Sequence, residues 1–171
     1  MKLYVGTYAK YNNGSLDGKW LDLDDYADND EFMAACRELH KDEEDPELMF
    51  QDCDYEWDWE HSLYCECGDY EDYYEVKDAL DRFNINGKIF DAWIKATSNK
   101  ATAEAVDECE GQYCGQYDDP TDYAEEMFNE YYDMRKIPEK IRYNIDWQGV
   151  WRDMSPDGYY YENGYIFDTN R

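Results

Sequence analysis

The sequence predicts an α+β fold, an elongated chain of three small units. Both ends carry strand patterns with turn residues between them, the middle has apolar residues three or four positions apart, and the apolar residues occur in short patches. A net charge of −27 and a mean hydropathy of −1.04 would indicate disorder, but 18% of the 171 residues are aromatic, which favours a folded chain. We place the units at 1–62, 63–108 and 109–171.

The N-terminal unit is predicted to combine a three-stranded antiparallel sheet with one helix. Alternation over 3–7 and a return strand over 18–23, separated by Asn12-Asn13-Gly14, predict a β-hairpin. Asp28 or Asn29 is suited to cap a helix over about 30–40, and residues 47–55 predict the third strand. The apolar face expected for this helix consists of Phe32, Met33, Cys36 and Leu39.

The central unit has the pattern of packed helices. A first helix over about 69–83 is expected to end at Asn86-Gly87, and two further helices follow it. The apolar stripes of the three helices are, in order, Tyr73, Val76, Leu80 and Phe83; Ile89, Phe90, Trp93 and Ile94; and Ala101, Ala105 and Val106.

The C-terminal unit is predicted to be α+β. Asp119-Pro120 is a strong helix start, and this helix should run to about residue 134 with Tyr123, Met127 and Tyr131 buried. Pro138 opens a short turn or helix, and Asp146 caps another helix. A final hairpin pairs 159–162 with 165–167 through Asn163-Gly164, the favoured type I′ pair. The inward residues expected after Asp146 are Trp147, Val150, Trp151 and Met154.

The charge balance excludes several classes of function. With 16 Lys and Arg against 43 Asp and Glu, the chain lacks the basic face that nucleic-acid binding through counterion release requires, and it is unsuited to anionic membranes. No run approaches the roughly 18–20 apolar residues of a membrane span, and the first residues show no signal peptide. We therefore expect a cytoplasmic protein that binds neither nucleic acid nor membrane.

Few residues point to catalysis, a metal or a cofactor. No Gly-rich phosphate loop occurs, and a possible EF-hand at Asp54 has Trp59 where glycine is required. Zinc ligation by Cys53, Cys65 and Cys67, or by Cys36 with His40, lacks the usual cysteine spacing, so reduced thiols are favoured, as for Cys109 and Cys114. We expect no cofactor and no catalytic site.

One enzymatic alternative stays open. Glycoside hydrolysis requires two carboxylates beside stacking aromatics, and Asp54, Glu56, Asp58 and Glu60 alternate with aromatic residues. Such neighbours arise readily by chance in a chain with 43 acids, and nothing distinguishes one carboxylate as a catalytic acid with a raised pKa.

The acid excess is the most unusual feature. A solubilising surface or adaptation to high salt would explain it, but so would a surface that binds a basic partner. Duplex DNA carries one charge per roughly 1.7 Å, so 27 charges match about 46 Å of duplex. The carboxylates expected to imitate phosphates are Asp69, Glu71, Asp72, Glu75 and Asp78 on one helix, and Asp122, Glu125, Glu126, Glu130 and Asp133 on another.

Three stretches closely resemble the ArdA family of antirestriction proteins. They are the opening with Tyr11-Asn12-Asn13-Gly14 and Trp20-Leu21-Asp22-Leu23, the stretch Tyr113-Cys114-Gly115-Gln116-Tyr117, and the run 137–154, which is similar to the family's antirestriction motif. The residues of that run assigned to the motif and to a dimer contact are Ile137, Pro138, Tyr143, Ile145, Asp146, Trp147, Val150, Trp151, Arg152 and Asp153.

The resemblance implies a three-part homodimer joined through its C-terminal part. It also implies a DNA mimic that occupies the DNA-binding groove of the specificity and modification subunits of type I restriction–modification enzymes, carried by mobile genetic elements. We expect the apolar motif residues to form core or dimer contacts and Arg152 to pair with Asp153. An acidic decoy for another basic DNA-binding protein or nuclease is the first alternative.

Overall fold

The computed structural model describes residues 1–171. The chain forms two compact units, one comprising Met1–Asp91 with Lys100–Val106 and the other Ala92–Asn99 with Asp107–Arg171. Helices accompany two small antiparallel sheets, so the α+β prediction is confirmed. The boundaries at 62 and 108 stay a prediction. No helix is both long enough and apolar enough to cross a membrane.

The sheet of the first unit has the strand order β2-β1-β3. Its strands are β1 (Lys2–Thr7), β2 (Lys19–Asp22) and β3 (Leu48–Asp54). Both outer strands run antiparallel to β1, and Leu3 of β1 lies opposite Leu21 of β2. The three predicted strands and their antiparallel pairing are therefore confirmed.

The link between β1 and β2 differs from the predicted hairpin. The chain forms a short helix, α1 (Tyr8–Asn12), whose first turn is capped by Thr7 Oγ1 accepting the Lys10 N–H at 3.2 Å. Gly14 follows with φ of 77°, in the left-handed region that favours glycine. Asn-Asn-Gly therefore follows a helix here, because the residues that suit a hairpin turn also suit a helix C-terminus.

Helix α2 (Asn29–Leu39) packs its predicted apolar face into the first unit. Asp28 is the cap, since its Oδ1 accepts the Glu31 N–H at 2.8 Å. Phe32 and Cys36 of this face are fully buried.

Four further helices follow β3 along the chain. They are α3 (Asp58–Ser62), which was not predicted, α4 (Glu71–Phe83), α5 (Gly87–Thr97) and α6 (Ala103–Gln112). Helix α4 ends at Asn84, which has a left-handed φ of 55°. Asn86 Oδ1 accepts the Ile89 N–H at 2.9 Å. Asn86-Gly87 thus begins α5 rather than ending α4, because an Asn side chain satisfies the free N–H groups of a first helical turn.

The core of the first unit is largely aromatic. Trp59 stacks on Tyr73 with ring centroids 5.9 Å apart and meets Phe90 edge-on at 5.8 Å. Phe50 meets Tyr70 edge-on at 5.1 Å. These rings explain how a chain of low mean hydropathy folds, because each aromatic residue buries a large apolar area.

The second unit contains a sheet with the strand order β4-β6-β5. Its strands are β4 (Tyr113–Gln116), β5 (Tyr159–Glu162) and β6 (Tyr165–Asp168). The predicted C-terminal hairpin is confirmed, with φ of 51° at Asn163 and 87° at Gly164, as a type I′ turn requires. Strand β4 was not predicted, because four residues containing a glycine show no clear alternation.

Three helices complete the second unit. They are α7 (Pro120–Tyr131), α8 (Glu139–Arg142) and α9 (Trp147–Met154). The predicted caps are confirmed: Asp119 Oδ1 accepts the Thr121 N–H at 2.8 Å, and Asp146 Oδ1 accepts the Gly149 N–H at 3.0 Å. Tyr131 is 71% exposed, so the prediction that it is buried is wrong. It is the last residue of α7 and borders an open groove.

Candidate functional site

The predicted acids of α4 lie on one exposed side of that helix. Tyr73 and Val76 are completely buried, and this packing turns the polar side toward solvent. Four carboxylates occupy a stretch of about 10 Å at 1.5 Å per residue, where one strand of duplex DNA carries about three phosphates. The exposed acids of this surface, which we call the α4 acidic face, are Glu71, Asp72, Glu75 and Asp78, with Asp69 just before the helix.

The cations of α4 leave this face negative. Lys77 Nζ lies 3.1 Å from Asp24 Oδ1, and the Arg82 guanidinium lies 5.0 Å from the Phe83 ring centroid. Burial alone would raise the pKa of Asp24, but its contacts, led by the hydrogen bond from Lys77, lower the pKa below its ordinary value. The acids of the α4 acidic face form no ion pairs.

The predicted acids of the second helix divide into two groups. Asp122, Glu125, Glu126 and Glu130 are exposed on α7, and Glu126 accepts a hydrogen bond from the Tyr117 hydroxyl at 2.9 Å. Asp133 is not on this helix. It lies beyond the end of α7, where its carboxylate accepts a 2.8 Å hydrogen bond from Arg135 Nε that lowers its pKa. Its charge is thus partly compensated within the chain.

The predicted motif is mostly exposed or half-buried in the single chain. Tyr143 is 81% exposed and the neighbouring Ile141 57% exposed, whereas Trp147 meets Phe128 of α7 edge-on at 5.8 Å. Arg152 and Asp153 are both exposed and form no ion pair, which corrects the expected internal pair. The remaining motif positions are Pro138 and Asp146, which are exposed, and Ile137, Ile145, Val150 and Trp151, which are half-buried.

A groove of about 380 Å³ adjoins the motif within the second unit. Tyr132, 59% exposed, and Tyr131 form part of its wall. The groove is lined by Met127, Phe128, Tyr131, Tyr132, Met154 and Tyr159.

The segment 134–152 also has an unusual charge for this protein. It holds five of the chain's 16 Lys and Arg residues but only two acids, Glu139 and Asp146. The aromatic surface of the second unit is therefore next to a stretch where basic residues predominate over acids, as they also do over residues 82–100. The five cations of this segment, which we call the basic segment, are Arg135, Lys136, Lys140, Arg142 and Arg152.

Glu60, one of the four carboxylates considered for hydrolysis, is buried and already accepts several hydrogen bonds within the chain. It is 4% exposed, and its Oε2 accepts the backbone N–H groups of Glu56 and Trp57 at 2.8 and 3.1 Å. Its Oε1 accepts from the Met1 ammonium at 3.3 Å. Asp54 and Glu56 are exposed and border a cavity of about 390 Å³, whereas Asp58 is exposed at the start of α3.

Two of the thiols and the histidine considered as ligands have environments unsuited to binding a metal. Burial raises the pKa of the Cys36 and Cys109 thiols to about 12, which keeps them protonated. His40 Nδ1 lies 3.0 Å from Lys10 Nζ, and the same ammonium lies 3.1 Å from Asp42 Oδ1. This internal cation neutralises the acids that His40 would need beside it. The other thiols, Cys53, Cys65, Cys67 and Cys114, are free.

The sequence analysis did not identify two features of these surfaces. The basic segment would have emerged from counting charges in a sliding window. A cavity of about 170 Å³ bordered by Trp57, Trp59 and Gly87 had no such signal, because only the packing shows where an indole N–H points.

The family comparison covers almost the whole chain. A family model described as antirestriction protein (ArdA) matches residues 3–167. No curated protein matches the sequence. The match includes both acidic helices and the basic segment.

Proposed function

This chain belongs to the ArdA family of antirestriction proteins, and on that premise we propose that it blocks type I restriction–modification enzymes as a DNA mimic. The partner surface is the DNA-binding groove formed by the specificity and modification subunits. The protein acts by occupying this groove and not by turnover.

The observation that carries this proposal is the α4 acidic face. Its carboxylates are exposed, lack ion pairs and have a density along the helix close to that of phosphates along a DNA strand. Fixed negative charges on a rigid helix attract a basic groove before contact and speed the encounter. The exposed acids of α7 add a second surface of the same kind, with Asp133 contributing less because Arg135 compensates it.

We also propose that the protein is a homodimer joined through the second unit. Two copies with −27 charges each repel one another, so they are expected to meet where that repulsion is smallest. The basic segment is one stretch that meets this condition, and its exposed Tyr143 and Ile141 supply apolar area to bury. A dimer would double the length of duplex that the charge imitates to about 92 Å.

The proposed activity implies where the protein acts and what kind of genetic element carries its gene. Restriction enzymes cut incoming DNA inside the cell, so we place this protein in the cytoplasm and its gene on a mobile element that the protein protects. The division into three parts at 62 and 108 belongs to the same proposal.

A competition assay tests the function. A purified type I enzyme holding a labelled duplex is titrated with this protein, and displacement is followed at low and high salt. We expect displacement at near-stoichiometric protein, weakened by salt, because the Debye length is only about 10 Å at 0.1 M. Absence of displacement from several type I enzymes would refute the restriction target. Displacement of DNA from an unrelated basic protein instead would establish the decoy alternative.

A further inference from the structure

The cavity of about 170 Å³ in the first unit contains a hydrogen-bond donor without a partner. Trp59 is 1% exposed and its Nε1 has no hydrogen-bond partner, although this residue lines the cavity. A buried donor without an acceptor lowers the stability of a folded chain, so this arrangement requires an explanation. A ligand that brings an acceptor provides one.

A second indole nitrogen, Trp57 Nε1, lies near Trp59 Nε1, and both are close to Gly87. A Cβ atom placed on Gly87 would lie 2.8 Å from Trp57 Nε1 and 3.4 Å from Trp59 Nε1. Glycine at this position therefore lets both indole rings approach the backbone at the start of α5, where a side chain would displace Trp57. It is also the first residue of the 11-residue helix α5, whose N-terminus favours acceptors.

Other polar groups around the cavity are already engaged. Both oxygens of Glu60 accept hydrogen bonds, and Asp24 pairs with Lys77. Glu56 and Asp81 line the same cavity, are exposed, and have carboxylates able to accept from a ligand. The cavity thus combines one buried and one half-buried donor with acceptors nearer the solvent.

These groups restrict the chemistry of the occupant. A guanidinium or ammonium group has no acceptor for the indole N–H, and a carboxylate or phosphate would be repelled by Glu56 and Asp81. A primary carboxamide has one carbonyl acceptor and two N–H donors, and it is neutral. Its carbonyl oxygen would accept from Trp59 Nε1 while its NH₂ group donates to a carboxylate.

We propose that this cavity binds the carboxamide of an Asn or Gln side chain from the DNA-binding surface of the target enzyme. The inference rests on the proposed function. DNA-reading proteins use these two side chains for the donor–acceptor pair of adenine, N6 and N7. The indole N–H with a nearby carboxylate offers the same pair, so the protein imitates a base edge here as well as phosphates.

Direct binding is tested with propionamide as the probe. The six Trp residues give separate indole N–H signals in an ¹H–¹⁵N spectrum, and Trp57→Phe identifies one of the two relevant signals by its loss. We expect propionamide to shift the signals of Trp57 and Trp59 saturably, and guanidinium and propionate not to do so. Equal shifts with propionate or glycerol, or no shift with propionamide, would overturn the assignment to a carboxamide.

The role in inhibition is tested with Gly87→Ala in the competition assay. The added methyl group would lie 2.8 Å from Trp57 Nε1, so it displaces that ring from the cavity, whereas Gly111→Ala is a matched control with nothing within 4 Å of the new atom. Losing one neutral hydrogen bond corresponds to about a three- to tenfold weaker inhibitor. This factor should be the same at low and high salt, since no charge is removed.

The two proposals fail in different ways. If the unchanged protein displaces DNA and Gly87→Ala performs as well as Gly111→Ala, the carboxamide site is refuted and the DNA mimic stands. If the unchanged protein displaces no DNA, the mimic is refuted whatever propionamide does. Should Gly87→Ala fail to fold, Trp57→Phe replaces it, because this half-buried ring loses its donor and keeps its aromatic face. Unaltered inhibition by that variant would also refute the site.

Discussion

The aromatic core of the first unit and the basic segment of the second unit place large apolar side chains in opposite environments. In the first unit Trp59 and Tyr73 are buried and acids cover the outside, whereas in the second unit Tyr143 and Ile141 face solvent among cations. An exposed aromatic surface is useful only where another surface can approach it. The contrast is what the proposal of two surfaces rests on, one for a basic partner and one for a second copy.

The largest expected effect comes from reversing the α4 acidic face. Replacing Glu71, Asp72, Glu75 and Asp78 together by Lys should weaken inhibition at least about a hundredfold at low salt, because attraction to the groove becomes repulsion. The measurement is competition against labelled duplex. Reversing the four exposed acids of α6, a set with the same change in charge, is the control: Glu104, Asp107, Glu108 and Glu110. Equal losses in both variants would mean that net charge alone matters and that α4 has no special role.

The buried carboxylate of the first unit should affect folding more than inhibition. Glu60→Gln removes a charge that satisfies two backbone N–H groups and the Met1 ammonium, and we expect a loss of about 2–3 kcal/mol in the free energy of unfolding. Urea denaturation measures it. Glu56→Gln, at an exposed position just before the same helix, is the comparison. A similar loss in both would contradict the structural role of Glu60.

The exposed aromatic surface is tested by adding an acid to it. Tyr143→Asp should weaken the dimer about tenfold, since it removes apolar area and adds repulsion between two acidic chains. Sedimentation at several concentrations gives the dissociation constant. Tyr11→Asp makes the same change at an exposed tyrosine of the first unit and should leave the dimer unchanged. If Tyr11→Asp alone dissociated the dimer, the contact would lie in the first unit.

The smallest effect is expected where a cation of α4 is already paired. Lys77→Met should reduce the free energy of unfolding by about 0.5 kcal/mol at neutral pH, because the pair with Asp24 is half-exposed. Since the pKa of Asp24 is lowered in the folded chain, this contribution is complete above its ordinary value of 3.8 and disappears as pH falls through the folded value. Unfolding measured from pH 7 to about pH 2 checks this, and inhibition should not weaken. A difference that grew toward low pH would have the wrong sign for this pair.

Local signals predicted most of the fold but not which faces are covered. Asp119-Pro120 and Asn163-Gly164 stand where predicted because caps and type I′ turns depend only on neighbouring residues. Helix α1 and strand β4 were missed because each is only four or five residues long. The exposure of Tyr131 depends on which element lies opposite its helix, which spacing along one helix does not reveal.

The candidate site could also be predicted only in part from local sequence signals. The sequence alone identified the acids of α4, since a stripe of buried residues fixes which side faces outward, and the resemblance identified the family. Asp133 lies beyond the end of α7 and pairs with Arg135, a contact between near neighbours that the helical spacing of the acids did not indicate. The sequence by itself determined the charge, the caps and the family, because these are properties of neighbouring residues or of composition. The tertiary structure decided which acids stay unpaired and where an indole N–H lacks a partner, because both depend on residues distant along the chain.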